Sequence, residues 1–425
     1  TYTVAPDGTV TFKPEPQFTG VAKGVEVVRQ DKNGTPAKAT YTPEVKPVTP
    51  TGTDAVTEDI QGSTQKGLPQ FLGGRVSVNG KTAIVPIDES KSLELIDPKT
   101  GKPTTDPVVV PGEGTYTINN GMVEFKPEPQ FTGKATGVGV QRVDMNGTPV
   151  TAKYTPVVKP ATPTGTDAVT EDIQGSTQTG KPTFEGGKVT VNGAEKTVEI
   201  DEDKPAKLVD PKTGDPVDSV TIEGEGTYTV APDGTVTFTP EKNFTGKGTG
   251  VTVQREDKNG TPVTAKYTPV VKKATPTGTD AVTEDIQGST QTGKPTFEGG
   301  KVTVNGEEKT VEINEDKPAK LVDPKTGDPV DSVTIEGEGT YTVAPDGTVT
   351  FTPEKNFTGK GTGVTVQRED KNGTPVKATY TPVVKPATPT SSDVITTNVQ
   401  GATQSGTPTF EGGKVTVNGE EKTVE

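Results

Sequence analysis

The chain has 425 residues, including 51 glycines and 39 prolines but neither cysteine nor histidine, and its formal net charge is −14. The absent residue types exclude disulfides, cysteine- or histidine-ligated zinc, and Ser-His or Cys-His catalysis. The acidic balance argues against nucleic acid and anionic membrane surfaces as partners. No stretch approaches the roughly 18 apolar residues needed for membrane insertion, and no signal peptide or sorting signal is recognisable.

Residues 1–47 match the second part of a longer repeat, so we expect the chain to begin inside a module and to be a piece of a longer protein. Three complete modules are predicted at residues 48–160, 161–273 and 274–386. Residues 387–425 begin a further module. Because the partial modules cannot bury complete cores, we expect them to be less ordered than residues 54–385.

A repeated marker sets the period of this array. The sequence Asp-Ala-Val-Thr-Glu-Asp-Ile-Gln-Gly begins at Asp54, Asp167 and Asp280, a diverged copy begins at Asp393, and successive starts lie 113 residues apart. That period is the size of an independent domain, whereas solenoids and propellers repeat every 20–50 residues or so. The spacing therefore predicts domains in series.

The hairpin pattern at 340–353 shows how each module is built. Tyr341 and Val343 alternate with threonine on one arm, and Val349 and Phe351 do so on the other, which is typical of half-buried strands. Pro345-Asp346-Gly347 has the composition of a type I turn closed by a glycine with positive φ. Copies of this hairpin begin at Thr1, Thr115 and Thr227.

The third predicted module contains eight strand patterns, at residues 301–304, 309–313, 319–322, 332–335, 340–343, 348–352, 361–368 and 376–384. Asn305-Gly306 and Asn372-Gly373 indicate two more hairpins, and no helical period is present. Seven or eight short antiparallel strands predict an all-β fold, a β-sandwich that is Ig-like or cadherin-like in general architecture, with an open barrel as the alternative. The apolar content of 27% predicts a thin core and leaves disorder as a further alternative.

Proline-rich segments such as 155–163 separate the modules. Proline favours extended polyproline II backbone, so these joints are predicted to be semi-rigid spacers. The expected assembly is an elongated rod whose closest partners are neighbouring modules of the same chain.

Two acidic patterns resemble calcium-binding sequences. Asp257 and Asp370 begin Asp-Lys-Asn-Gly, which matches the start of an EF-hand loop, but Thr268 stands where a bidentate Glu is needed, so a turn is favoured. Asp201-Glu202-Asp203 with Asp210 is either an inter-module calcium site or a solvated loop. The next copy has Asn314 in place of Asp201, which favours the loop. No metal or cofactor is expected.

Three further features are possible functional signals: glycosylation sequons, residues able to form crosslinks, and aromatic residues at strand spacing. Asn-Gly-Thr at Asn33, Asn146, Asn259 and Asn372, and Asn-Phe-Thr at Asn243 and Asn356, match the glycosylation sequon, but the Asn-Gly pairs are explained by turns. Lys–Asn, Lys–Asp or Thr–Gln crosslinks require a buried acid beside the reacting pair, and spacing cannot show which residues are buried together. Tyrosine and phenylalanine at strand spacing are predicted to be core or joint residues, and the absence of tryptophan counts against a lectin-like site.

The order of motifs from Gly337 to Pro382 resembles the CshA-type fibril repeat of Gram-positive cell-wall-anchored surface adhesins. The shared sequences are Gly-Glu-Gly-Thr-Tyr-Thr-Val-x-Pro-Asp-Gly-Thr-Val-Thr-Phe-Thr-Pro, Asn356-Phe357-Thr358-Gly359, Val364-Thr365-Val366-Gln367-Arg368, Asp370-x-Asn372-Gly373 and Tyr380-Thr381-Pro382. The resemblance covers nearly the whole chain. It implies an extracellular stalk on the bacterial surface, anchored through another region, that projects a distal domain binding host ligands.

An alternative function belongs to the binding class: the repeats could themselves bind host matrix proteins weakly and gain affinity through copy number. An enzyme is not expected. The modules 167–279 and 280–392 are nearly identical, with differences such as Ala194 for Glu307 and Asp201 for Asn314, and no candidate active site is confined to one copy.

Overall fold

The computed structural model describes residues 1–424, which contain strands and turns and no helix. The chain divides into two compact units. The first comprises Thr1–Gly165, Phe184–Lys204 and Gln254–Thr264, and the second comprises Thr166–Thr183, Pro205–Val253 and Ala265–Glu425 as far as the description extends.

The strands follow one another in the same order in each complete module. Residues 1–47 contain β1 (Tyr2–Val4), β2 (Val10–Phe12), β3 (Gly20–Val21), β4 (Val25–Gln30), β5 (Pro36–Tyr41) and β6 (Glu44–Val45). The first complete module contains β7 (Thr51–Thr53), β8 (Ala55–Ile60), β9 (Gln65–Gly67), β10 (Gln70–Leu72), β11 (Gly74–Val78), β12 (Lys81–Val85), β13 (Glu94–Ile96), β14 (Pro103–Thr104), β15 (Val108–Val110), β16 (Gly114–Asn119), β17 (Met122–Pro127), β18 (Gly133–Lys134), β19 (Val138–Val143) and β20 (Pro149–Lys159).

The second module contains β21 (Thr164–Thr166), β22 (Ala168–Ile173), β23 (Gln178–Gly180), β24 (Thr183–Glu185), β25 (Gly187–Val191), β26 (Ala194–Val198), β27 (Lys207–Val209), β28 (Pro216–Val217), β29 (Ser219–Ile222), β30 (Gly226–Val230), β31 (Val236–Pro240), β32 (Gly246–Lys247), β33 (Val251–Glu256) and β34 (Pro262–Lys272). The third contains β35 (Thr277–Thr279), β36 (Ala281–Ile286), β37 (Gln291–Gly293), β38 (Thr296–Glu298), β39 (Gly300–Val304), β40 (Glu307–Val311), β41 (Lys320–Val322), β42 (Pro329–Val330), β43 (Ser332–Ile335), β44 (Gly339–Val343), β45 (Val349–Pro353), β46 (Gly359–Lys360), β47 (Val364–Glu369) and β48 (Pro375–Lys385). Residues 387–424 contain β49 (Thr390–Ser392), β50 (Thr409–Glu411), β51 (Gly413–Val417) and β52 (Glu420–Val424).

The third module, which lies in the second unit, is a two-sheet sandwich. One sheet has the order β36-β48-β47-β41-β42, with β46 also paired to β48, and the other has the order β37-β45-β44-β43. Alternate residues of both sheets point inward, as the two-residue period of strands requires. The fully buried core includes Leu321, Tyr341, Phe351, Val366 and Tyr380.

The first module, in the first unit, repeats this arrangement. Its larger sheet has the order β14-β13-β19-β20-β18 with β8 paired to β20, and its smaller sheet has the order β15-β16-β17-β9. Leu95, Tyr116, Phe125, Val140 and Tyr154 occupy the core positions. The predicted β-sandwich is therefore observed in both units.

The eight predicted strands of the third module all exist, and β43 begins and ends at the predicted residues. The other seven differ from their predicted bounds by one to three residues at an end. For example, β40 ends at Val311, and Ile313 forms only an isolated bridge with Asp370. Six short or irregular strands were not predicted, namely β35, β36, β37, β38, β42 and β46.

The predicted strands pair antiparallel with one another, but a parallel pair was not predicted. Strand β36 runs parallel to β48, with Ala281 opposite Tyr380 and Ile286 opposite Lys385. The marker sequence that forms β36 shows no clear alternation, because Val282 is exposed while the neighbouring acidic residues are half-buried. Its partner lies about one hundred residues further along, and a local pattern does not identify such a partner.

The turns follow their predicted chemistry. Gly347 has φ of 89°, and the Asp346 carboxylate accepts the backbone N–H of Thr348 at 3.0 Å. At the second hairpin Asn305 and Gly306 both have positive φ, as a two-residue type I′ turn requires. These local signals fix the strand registers on either side.

The partial module at residues 1–47 forms three separate two-stranded ladders, β1–β2, β3–β6 and β4–β5. Every residue of β5 is exposed, whereas β48 alternates between buried and more exposed residues. That the partial module is less protected from hydrogen exchange than the complete modules stays a prediction.

Candidate functional site

An apolar cluster joins successive modules, and an example lies in each unit. In the first unit Ile60, at the end of β8, packs with Ala161 of the proline-rich segment and with Val191 and Val198 of the β25–β26 hairpin. In the second unit the same cluster consists of Ile173, Ala274, Val304 and Val311. Burial of each Val or Ile side chain contributes up to about 1.5–3 kcal/mol, so the junction is a small core of its own.

The proline-rich segment is packed into this junction. Ala161 is 2% exposed, and its N–H donates to Gln61 Oε1 at 3.3 Å. Gln61 Nε2 in turn donates to the carbonyl of Pro129 at 2.9 Å. The joint predicted to be a polyproline spacer is therefore held by side-chain contacts as well, which its proline content did not indicate.

Ion pairs flank each apolar cluster. Lys196 Nζ lies 2.6 Å from Asp59 Oδ1, and Lys309 Nζ lies 2.6 Å from Asp172 Oδ1. A third pair joins Lys422 to Asp285 at 2.7 Å. The lysines are about 40% exposed, so each pair contributes at most about 1 kcal/mol and mainly fixes the orientation of the hairpin.

The Asp-Lys-Asn-Gly turn makes the other half of the junction. Asn259 Nδ2 donates to the carbonyl of Gln61 at 3.0 Å, and Asn372 Nδ2 donates to the carbonyl of Gln174 at 2.8 Å. A Cβ on Gly62 would overlap Asn259 Oδ1. The sequence explained Asn259 and Asn372 as turn residues, and their inter-module contacts were missed.

The calcium-like start of this turn has a structural role. Asp257 is fully buried, and its Oδ1 accepts the N–H groups of Asn259 at 2.9 Å and Thr261 at 2.8 Å. Asp370 makes the equivalent bonds in the third module. Both carboxylates thus stabilise the turn that presents the asparagine to the preceding module.

The acidic residues considered for calcium have separate partners. Glu202 pairs with Arg255 at 3.0 Å, and Asp201 Oδ1 accepts the N–H of Asp203 at 3.2 Å. Asp210 Oδ1 accepts the N–H of Lys212 at 2.7 Å. Within residues 1–424 no group of three or more acidic side chains is arranged to hold a metal ion.

Threonine and glutamine do meet, at a third repeated feature. Thr283 Oγ1 donates to Gln291 Oε1 at 2.6 Å and also lies 2.6 Å from the Tyr380 hydroxyl. Gln291 Nε2 donates to the Val383 carbonyl at 3.0 Å. Among the described hydrogen bonds neither Thr283 nor Gln291 contacts a carboxylate, so the acid that an ester would require is not in place. The triad is a satisfied polar network that links β36, β37 and β48.

The predicted core role is confirmed for the hairpin and β48 aromatic residues of the third module, where Tyr341, Phe351 and Tyr380 are fully buried. The Tyr341 ring lies 4.5 Å from Phe351 and 6.3 Å from Tyr380 between centroids. Burial raises the pKa of Tyr380, while its bond to Thr283 opposes the shift. The pKa of Tyr341 is raised by burial first and then by its bond to the Glu338 carboxylate.

These tyrosines predict a loss of stability in alkali. The pKa of these tyrosines is higher in the folded protein than its value of about 10 in the unfolded chain. Stability is therefore unaffected below about pH 10, and it falls at higher pH because the unfolded chain ionises first. Denaturant unfolding at about pH 8 and about pH 11 measures the loss. Tyr380→Phe removes one titrating group, so it should reduce the loss in its module, and an unchanged loss would contradict the assignment.

The repeated sandwiches and their packed junctions define the class of protein, a tandem array of β-sandwich modules. The chain belongs to the family described as the surface adhesin CshA repetitive domain, whose model matches residues 1–45, 47–158, 160–271 and 273–384. The resemblance found in the sequence is thereby confirmed, and the chain is a surface-adhesin repeat region. This family implies an extracellular surface location, and residues 1–424 include no helix long and apolar enough to span a membrane.

Three solved structures illustrate what this chain is similar to. The titin I9–I11 tandem is 9% identical, with coverage of 80% of this chain and 99% of that chain and a TM-score of 0.27. Protocadherin gamma B7 cadherin domains 1–4 are 9% identical, with coverages of 89% and 88% and a TM-score of 0.28. A tetra-tandem repeat from the extending region of a large adhesion protein is 15% identical, with coverages of 90% and 87% and a TM-score of 0.23. No curated protein sequence matches the chain.

Proposed function

We propose that these repeats form the stalk of a bacterial cell-surface adhesin, anchored to a Gram-positive cell wall through another region of the parent protein. The observation that carries this proposal is the junction, in which the same apolar cluster, lysine–aspartate pair and asparagine contact occur in both units. Repeated, specific joints favour a fixed angle between neighbours, which a projecting stalk requires. Host matrix or other surface proteins would bind the parent protein's distal region during colonisation.

Two properties of the chain support a structural role. The net charge of −14 opposes collapse of the array onto itself. The second and third modules are nearly identical, with differences such as Asp201 for Asn314 in the acidic loop, so we propose that the protein is not an enzyme. The proposed modules, 48–160, 161–273 and 274–386, begin and end within two residues of the family matches.

Small-angle X-ray scattering on the whole chain tests the stalk. We expect a rod-like profile, and a random-coil profile would refute the proposal. Ile173→Asp introduces a charge into one apolar cluster. The scattering profile should therefore become less rod-like, while the circular dichroism signal of the strands stays unchanged. Ile395→Asp is the matched control, because Ile395 is 92% exposed.

A binding measurement distinguishes the alternative function, multivalent binding by the repeats, from the stalk role. Immobilised host matrix proteins would be probed with one module and with three modules in tandem. Binding that rises steeply with copy number would favour a multivalent binder over a spacer. Absence of binding by either would leave the stalk as the proposed function.

A further inference from the structure

The first long strand and the last strand of each module lie side by side and run parallel. In the third module residues 281–286 of β36 pair with residues 380–385 of β48. The same register joins β8 to β20 and β22 to β34. The chain therefore enters each module along one strand of this pair and leaves it along the other.

The ladder extends beyond the paired strands at both ends. Asp280 Oδ1 accepts the N–H of Thr379 at 2.7 Å, and the N–H of Gln287 donates to the Lys385 carbonyl at 2.9 Å. Pro382, which has no N–H, stands opposite Thr283. Because the donors of a parallel ladder alternate along each strand, the proline falls at a position that donates nothing to β36, and Thr381 and Val383 lie at the donating positions.

Side chains reinforce the same pair of strands. The Tyr380 hydroxyl lies 2.6 Å from Thr283 Oγ1, and Lys385 Nζ lies 2.7 Å from Glu284. Gln291 Nε2 also bonds to the Val383 carbonyl. These contacts connect the entering strand to the leaving strand through side chains as well as backbone.

The direction of load on this pair follows from the topology. Tension along the chain pulls β36 toward its amino end and β48 toward its carboxyl end, so the two strands are forced to slide past each other. All ladder bonds then share the load and must break together, whereas force that opens a hairpin breaks its bonds one after another. Forced unfolding depends on the rate of crossing this barrier, so shear geometry slows it.

We propose that the β36–β48 pair, with its counterparts β8–β20 and β22–β34, is a mechanical clamp that lets each module carry tension. The clamp deepens the proposed stalk function, since a surface stalk bound at its far end is the source of such tension. Strand β35, which pairs with β38 over three residues, precedes β36 along the chain, and we expect this short pair to open before the clamp.

Single-molecule pulling on the whole chain tests the clamp. The chain has no cysteine, so introduced cysteines serve as unique handles. Handles at the two chain ends load β36 and β48 in shear. Handles at Thr290→Cys and Thr388→Cys load both strands from their carboxyl ends and peel the ladder open. We expect the end-to-end geometry to require at least roughly twice the unfolding force of the peeling geometry, and equal forces would overturn the proposal.

A pair of substitutions separates clamp strength from general stability. Val383→Pro removes the ladder donor of the residue opposite Glu284, while Val333→Ala weakens the core beneath the other sheet. For the same decrease in unfolding free energy, Val383→Pro should lower the shear unfolding force of the third module far more. If the two variants lower the shear unfolding force equally, the β36–β48 ladder does not act as a mechanical clamp. Rod-like scattering would survive that result, so failure of the clamp and failure of the stalk are distinguishable.

Discussion

Replacement of Phe351 by alanine should lower the free energy of unfolding of the third module by about 3–5 kcal/mol. The Phe351 ring is fully buried and lies 4.5 Å from the Tyr341 centroid and 6.0 Å from the Phe357 centroid. Its loss leaves a cavity between the two sheets, and a thin core has few other contacts to compensate. Denaturant unfolding should show an early transition for one module while the others keep their midpoint.

The incomplete first module supplies the control for this variant. Phe12 makes the same ring contact, 4.6 Å from Tyr2, but its side chain is only half-buried. Phe12→Ala should therefore cost much less than Phe351→Ala. Equal losses would mean that ring stacking, and not closure of the sandwich, provides the stability.

The hairpins and the aromatic core could be predicted because their signals are local. Pro345-Asp346-Gly347 determines the turn, and the turn then fixes the opposite positions of Tyr341 and Phe351. Alternation along the two arms identifies the buried face. The one-residue-shorter copy of the hairpin uses Asn120 and Gly121, both with positive φ, so the change in length also follows turn chemistry.

The parallel strand pair and the junction could not be predicted in this way. The marker sequence was recognised as a repeat, but its one exposed valine, Val282, and its half-buried acidic residues hide the strand. The junction depends on contacts such as Gln61 with Asn259, which are about two hundred residues apart. A buried Ala161 in a proline-rich segment carries no signal of its own, because burial there depends on the neighbouring module.

Substitution of a glycine at the junction should also cause a large loss of stability. Gly175 has φ of 82°, and a Cβ there would overlap Asn372 Oδ1, the side chain whose Nδ2 bonds to the Gln174 carbonyl. Gly175→Ala should displace Asn372 and leave that carbonyl without its partner. The loss of a half-buried hydrogen bond adds about 1–3 kcal/mol to the cost of the strained backbone.

Gly288→Ala is the control that separates the effect of the lost contact from the effect of backbone strain. It stands at the equivalent position of the third module with the same φ of 82°, but nothing lies within 4 Å of its added Cβ. Both alanine variants bear the same conformational penalty, so the difference between their unfolding free energies measures the junction alone. Equal destabilisation in denaturant unfolding would show that the Asn372 contact contributes nothing. A larger loss for Gly175→Ala, together with faster hydrogen exchange at the Asn372 turn, would establish that modules stabilise one another through this joint.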